Sequence, residues 1–211
     1  MGSPNASRIL LATGNPAKAA KLRWLLHGLN LAPEDLSAHP DIRLPDETGA
    51  SFAENARRKA EHASQAFGGL ALASDGGVLI PALGAAWDAL RTGRAAGPSA
   101  TDEERARHLL ALAAGLQGDA RRVLWSEAVA VARNGQTLEA WEATGTEGVL
   151  TTDYDPANAI PGFWVYSLWS FPQLGKRYVD LPPAELDAMD TVWPAIRERV
   201  QRWFTDGNAS G

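Results

Sequence analysis

The chain has 211 residues, a formal charge of −5, no cysteine and eight tryptophans. That length predicts one domain, or at most two small lobes sharing a core, and 45% apolar residues supply a core too large for a disordered chain. The lack of cysteine excludes disulfides, cysteine-ligated zinc, iron–sulfur clusters and a thiol nucleophile, and the acidic balance argues against a protein built to grip nucleic-acid backbone.

Arg8 to Thr13 is a short apolar run that stops at Gly14-Asn15-Pro16, which reads as a buried strand followed by a turn. Pro16 suits the first turn of a helix in which Leu22, Leu25, Leu26 and Leu29 form an apolar stripe. Lys18 and Lys21 have the wrong sign for that end of the helix dipole. Either an anion is shared between the lysines and the helix amides, or they are solvated surface lysines. Residues 30–50 read as a loop. Ser51 to Glu54 then makes a capping box, and Phe52, Ala56, Ala60, Ala63 and Phe67 recur at helical spacing with Asn55, Lys59 and His62 on a neighbouring stripe. Gly68-Gly69 ends this helix. Leu70 to Ser74 reads as a second buried strand stopping at Asp75-Gly76-Gly77, so Asp75 is either a carboxylate placed for chemistry at a strand's carboxyl end or a turn aspartate.

Residues 84–100 read as a loop, and Thr101 to Glu104 is a second capping box opening a helix with Ala106, Leu109, Leu110 and Ala113 on one face. Arg122 to Ala132 reads as a long strand, Asn134-Gly135 as a hairpin turn, and Thr137 to Ala143 as the return strand, extended by Glu147 to Thr151. A loop leads to an aromatic strand over 163–169. A tail helix follows, with Pro194 at its N1 position, Asp190 to Trp193 just before it, and Ile196, Val200, Trp203 and Phe204 as its stripe. The order predicts a mixed α/β domain around a long, twisted sheet, ordered over 7–205 with frayed ends, rather than a regular doubly wound fold. No segment reads as a membrane span or a signal peptide, so the expected setting is the cytoplasm.

Several chemistries have no motif here: there is no phosphate-binding G-x-x-x-x-G-K-[ST], no G-x-G-x-x-G, no G-x-S-x-G and no H-E-x-x-H, and the four histidines lack metal-ligand spacing. What remains is oxygen ligands and lysines near glycines. Glu47 and Asp75 could hold Mg²⁺, which prefers carboxylates and substrate phosphates. Thr13 to Lys18 could cradle an anion, and Lys59 could add a second positive charge. These are the parts of phosphoryl or nucleotidyl transfer.

Three motifs resemble the inosine triphosphate pyrophosphatase family. The opening strand and T-G-N-x-x-K stand here as Leu11-Ala-Thr-Gly-Asn-Pro-Ala-Lys18. The family's E-x-G-x-[TS]-F-x-E-N-A-x-x-K-A is Glu47 to Ala60, and its strand ending in D-D-S-G-L is Ala73-Ser-Asp-Gly-Gly-Val78. The resemblance implies a mixed α/β fold of two lobes around a central nucleotide cleft, a Mg²⁺ cofactor, a nucleoside triphosphate as substrate, and a homodimer with neither nucleic-acid nor membrane partners. It implies hydrolysis to the monophosphate and pyrophosphate. Asp75 would be the catalytic carboxylate and a metal ligand, and Glu47 the other metal ligand. Thr13, Gly14, Asn15, Lys18, Lys59 and the Gly76 amide would bind phosphate. Ser74 and Gly76 depart from the motif, standing for an aspartate and a serine.

The last third departs further. The family's G-F-G-Y-D-P packs on and reads the base; here Phe163 aligns with its phenylalanine, Trp164 follows, and Tyr166 stands where the aspartate belongs. The family's lysine and S-H-R fall on Leu186 and Asp190-Thr191-Val192. The expectation is an altered base specificity, with an aromatic pocket built from Phe163 and Trp164 in place of polar readout. The same residues leave two alternatives open: a catalytically weak nucleotide-binding protein of the same fold, and a hydrolase of another phosphorylated metabolite.

Overall fold

The computed structural model describes residues 6–160 and 164–208. In chain order the elements are β1 (Ser7–Leu11), α1 (Pro16–Leu26), β2 (Leu31–Asp35), α2 (Phe52–Phe67), β3 (Leu70–Leu79), α3 (Asp102–Leu112), β4 (Arg122–Arg133), β5 (Gln136–Leu150), β6 (Trp169–Phe171), β7 (Lys176–Arg177), α4 (Pro183–Met189) and α5 (Val192–Thr205). The strands form one seven-stranded sheet in the order β2-β1-β3-β4-β5-β6-β7. This is the mixed α/β sheet expected from the sequence. The chain divides into two compact units: residues up to Gly76 with Glu127–Ala143 and the stretch from Trp193 onward, and Gly77–Ser126 with Thr144–Val192. Strands β3, β4 and β5 each contribute a segment to both.

In the first unit β1 pairs in parallel with β2 (Ile9 opposite Pro33) and with β3 (Leu10 opposite Ala71). Ile9, Leu10 and Leu11 are fully buried, as a parallel strand covered on both faces requires. Residues 30–50 are not all loop, because Leu31–Asp35 forms β2. Pro33 hides this strand from sequence reading, yet it sits on the sheet's outermost strand, where a missing N–H is tolerated. Helix α1 buries Leu22, Leu25 and Leu26. Its last carbonyls are answered from α5: the Gln201 carboxamide donates to the Leu25 and His27 oxygens, each at 2.9 Å. The hairpin between β4 and β5 turns on Asn134 (φ 49°) and Gly135 (φ 84°), the pair of positive values that a two-residue turn of this hand needs.

Helix α2 is capped by Ser51, whose hydroxyl accepts from the Glu54 N–H. The expected box does not close on Ser51, because the Glu54 carboxylate accepts from Ala50 N–H instead. The box at α3 does close, between Thr101 and Glu104. Strand β3 does not stop at Ser74: it continues through Asp75, Gly76 and Gly77 to Leu79. Two glycines there suggested a turn, but they are strand residues.

The second unit is organised on Arg121 and an aromatic cluster. Arg121 is buried, and its guanidinium donates to the carbonyls of Ala113, Leu116, Leu150 and Thr151. Tyr166 stacks on Tyr178 at 4.3 Å between ring centroids and meets Trp125 and Trp169 at 5.4 and 5.2 Å. The expected aromatic strand is instead a 3-10 turn over Trp164–Leu168, and the strand begins only at Trp169. All five turn residues are buried, so an apolar run with no period gave no sign of which it would be. Helix α4 went unpredicted, and α5 starts two residues before Pro194.

Candidate active site

The residues singled out near the amino terminus converge within the first unit. Asp75 is buried in β3, and its two oxygens have different partners: the Asn55 side-chain amide donates to Oδ2 at 2.9 Å, and Lys59 Nζ lies 3.3 Å from Oδ1. The same ammonium is 2.8 Å from Glu47 Oε1. Asn55 and Lys59 are one helical turn apart on the buried face of α2, so a single helix presents both to β3. Asn55 is also fixed from the other side, its Oδ1 accepting from Gly49 N–H at 2.8 Å. Gly49 must be glycine at this approach, since a Cβ there would lie 2.7 Å from that oxygen.

Lys18 reaches the same cluster from α1. Its Nζ donates to Glu127 Oε1 at 3.2 Å. Burial works against the Lys18 ammonium, yet Glu127, Asp75 and Glu47 together raise its pKa above the ordinary value. Lys21 lies over the rings of Trp24 and Trp193, each at 5.8 Å. Burial pushes the Asp75 carboxyl above its ordinary value, against the pull of Lys59 and Lys18, with Glu47 adding to the rise.

Thr13, Gly14 and Asn15 form the turn into α1. Asn15 is the helix N-cap: its Oδ1 accepts from Ala17 N–H at 2.9 Å and Lys18 N–H at 3.3 Å, while its own N–H donates to Thr13 Oγ1 at 3.2 Å. Two amides that an anion would use are thus taken by the Asn15 side chain. An anion at this turn would meet Lys18 directly, or exchange with the Asn15 oxygen for those amides. Gly76 follows Asp75 and is half-buried in β3.

The donor chemistry suits a hard divalent cation. Two carboxylates from separate segments already face one positive charge, the Lys59 ammonium. Among the described residues no group of three or more His, Cys, Asp or Glu side chains stands ready to hold a metal alone. A cation that binds through one or two carboxylates, completing its shell with water and phosphate oxygens, matches that supply.

Of the two residues expected at the base, Phe163 lies outside the described residues, and Trp164 is in the second unit, buried at 5% exposure. Trp169 and Trp193 are likewise buried. Thr191, one of the positions that replace the polar base readers, exchanges hydrogen bonds with Thr146, and Val192 is fully buried. Sequence reading gave no role to Asn55 or Glu127. Asn55 sits inside the Glu47–Ala60 motif. Glu127 was signalled by a lone acid in the apolar run of β4, because a buried acid needs a partner.

A sequence model of the Ham1 family matches residues 9–180. Over 193 residues the chain is 31% identical to the dITP/XTP pyrophosphatase of Pectobacterium atrosepticum, covering 90% of this chain and 94% of that one. Over 177 residues it is 33% identical to the dITP/XTP pyrophosphatase of Thermus thermophilus, covering 82% and 81%. Among solved structures, a HAM1 protein from Coxiella burnetii superposes with a TM-score of 0.79 at 26% identity, covering 95% of this chain and 99% of the other.

Proposed function

The chain belongs to the Ham1 family, the inosine triphosphate pyrophosphatase family that its motifs resembled, and on that premise we propose that it is a Mg²⁺-dependent nucleoside triphosphate pyrophosphatase with altered base specificity. The substrate would be cut between the α and β phosphorus atoms. Water forms a new P–O bond, the bridging P–O bond breaks, and the products are the monophosphate and pyrophosphate. The observation that carries this reading is Asp75: a buried carboxylate with a raised pKa, held by Asn55 and Lys59 beside Glu47. A carboxylate fixed in this way can orient water and take its proton.

Glu47 and Asp75 would hold the divalent cation, which when bound supplies charge to neutralise phosphate oxygens. Lys18 and Lys59 would turn from their carboxylates to the polyphosphate, offsetting its charge. The Thr13–Asn15 turn and the Gly76 amide would line the phosphate chain. Altered base specificity is supported by Leu186, Thr191 and Val192 standing where polar base readers are expected, with Thr191 already engaged. Trp164 can stack on a base only if its present burial is relieved. A homodimer in the cytoplasm belongs to the same proposal; no helix among the described residues is long and apolar enough to cross a membrane.

The test is pyrophosphate release from a panel of nucleoside triphosphates, including dITP, XTP, ATP and pyrimidine forms, with Mg²⁺ or Mn²⁺. Asp75→Asn keeps the shape and is expected to lower kcat by about 100-fold or more while remaining folded. No turnover of any nucleotide, or a fully active variant, would refute the reading.

A further inference from the structure

Strand β4 carries one acid within a buried apolar run. Glu127 is 0% exposed, between Ser126 and Ala128. A carboxylate so far from water persists only with a counter-charge, and Lys18 provides it at 3.2 Å. The backbone of Lys18 is pinned at the first turn of α1, where its N–H is held by Asn15. Its side chain is 14% exposed, which leaves the ammonium few directions to point. Besides Glu127, the acids whose field it feels are Asp75 and Glu47, with Asp75 the stronger. Asp75 already takes hydrogen bonds from Asn55 and Lys59. A second ammonium there would cover oxygens that a divalent cation needs.

We propose that Glu127 is a positioning residue: it holds the Lys18 ammonium beside the phosphate turn and off Asp75, keeping that carboxylate open to metal. This rests on the reading of Asp75 and Glu47 as the metal-holding pair. Without the Glu127 carboxylate, Lys18 loses the side chain its ammonium is hydrogen-bonded to.

The experiment is a Mn²⁺ titration of the nucleotide-free protein, with thermal unfolding run in parallel to confirm that each variant is folded. Glu127→Gln keeps the volume and is expected to bind Mn²⁺ about tenfold more weakly. Lys18→Met in the Glu127→Gln background removes the ammonium that would intrude on Asp75. It is expected to return Mn²⁺ affinity to within about threefold of wild type, while the nucleotide KM stays high because Lys18 no longer binds phosphate. A purely structural role predicts lower thermal stability with unchanged Mn²⁺ affinity, and that result would overturn the proposal. So would a double variant that binds Mn²⁺ no better than Glu127→Gln. If Glu127→Gln is too unstable to titrate, Glu127→Asp takes its place: the carboxylate is one methylene short of Lys18, so Mn²⁺ affinity should fall in the same direction, and unchanged affinity overturns the proposal. Wild-type protein that takes no Mn²⁺ with or without a nucleoside triphosphate would instead remove the metal-dependent reading, and this inference with it.

Discussion

At the scale of single residues, the site depends on atoms held from two sides. Asn55 is clamped between Gly49 N–H and the Asp75 carboxylate, so its amide has one orientation, with the oxygen toward Gly49 and the nitrogen toward Asp75. Gly49→Ala places a methyl 2.7 Å from Asn55 Oδ1 and must push it away. The expected result is about 1–3 kcal/mol of lost stability together with a fall in turnover, read by thermal unfolding and pyrophosphate release. A variant with unchanged kcat would show that Asn55 does not orient Asp75. Away from the site, the Glu34 carboxyl is pulled down to about 2 from 4.5, chiefly by its hydrogen bond from Arg8, with His39 adding to it. A carboxyl depressed on folding contributes its full stability above pH 4.5 and loses it as pH falls toward 2. Glu34→Gln should therefore lower Tm by a constant amount above about pH 4.5 and by progressively less as pH falls toward 2, flattening the Tm-against-pH curve across that window. These residues differ in how visible they were beforehand. Asp75, Lys59 and Glu47 could be read from motif spacing. The Glu34–Arg8 pair could not, because it depends on β2 lying beside β1.

At the scale of elements, one short turn carries a disproportionate share of the second unit. Arg121 closes the 3-10 turn Gly118–Arg121 and donates to carbonyls from the end of α3 and the end of β5. Replacing it leaves those carbonyls buried without a charged donor. Arg121→Met is expected to cost about 3–5 kcal/mol, lowering Tm by roughly 10 °C, as followed by calorimetry. A shift of less than about 2 °C would mean that water replaces the guanidinium. Long periodic elements were legible: α2, α3 and the β4–β5 hairpin announced themselves by caps, stripes and Asn134-Gly135. The misreadings share one cause. Pro33 within β2, Gly76-Gly77 within β3 and the aromatic run over Trp164–Leu168 are local signals that tertiary pairing or burial overrides. The tryptophans divide between core and surface: Trp125, Trp164, Trp169 and Trp193 are buried, while Trp24 is 37% exposed with the Arg197 guanidinium 4.5 Å above its ring.

At the scale of the whole molecule, a net charge of −5 coexists with a local cluster that holds the buried Lys59 and the half-buried Lys18, so the proposed anion binding would be a property of the cluster and not of the surface. Chelation by EDTA should abolish turnover, and Mg²⁺ or Mn²⁺ should restore it. With metal present, a bound nucleotide should raise the unfolding free energy by about 2.7 kcal/mol at a hundredfold excess over Kd. Turnover that survives chelation would exclude the metal-dependent reading. By itself the sequence determined the family and the α/β class, and it marked the residues proposed for phosphate and metal, because those readings depend on short-range spacing within continuous motifs. Only the tertiary structure decided that Asn55 bridges Gly49 and Asp75, that the Asn15 side chain occupies the first amides of α1, and that Glu127 holds Lys18. The physical reason is distance along the chain. Lys18 and Glu127 lie 109 residues apart, and no local pattern encodes a partner that only the folded sheet brings within 3.2 Å.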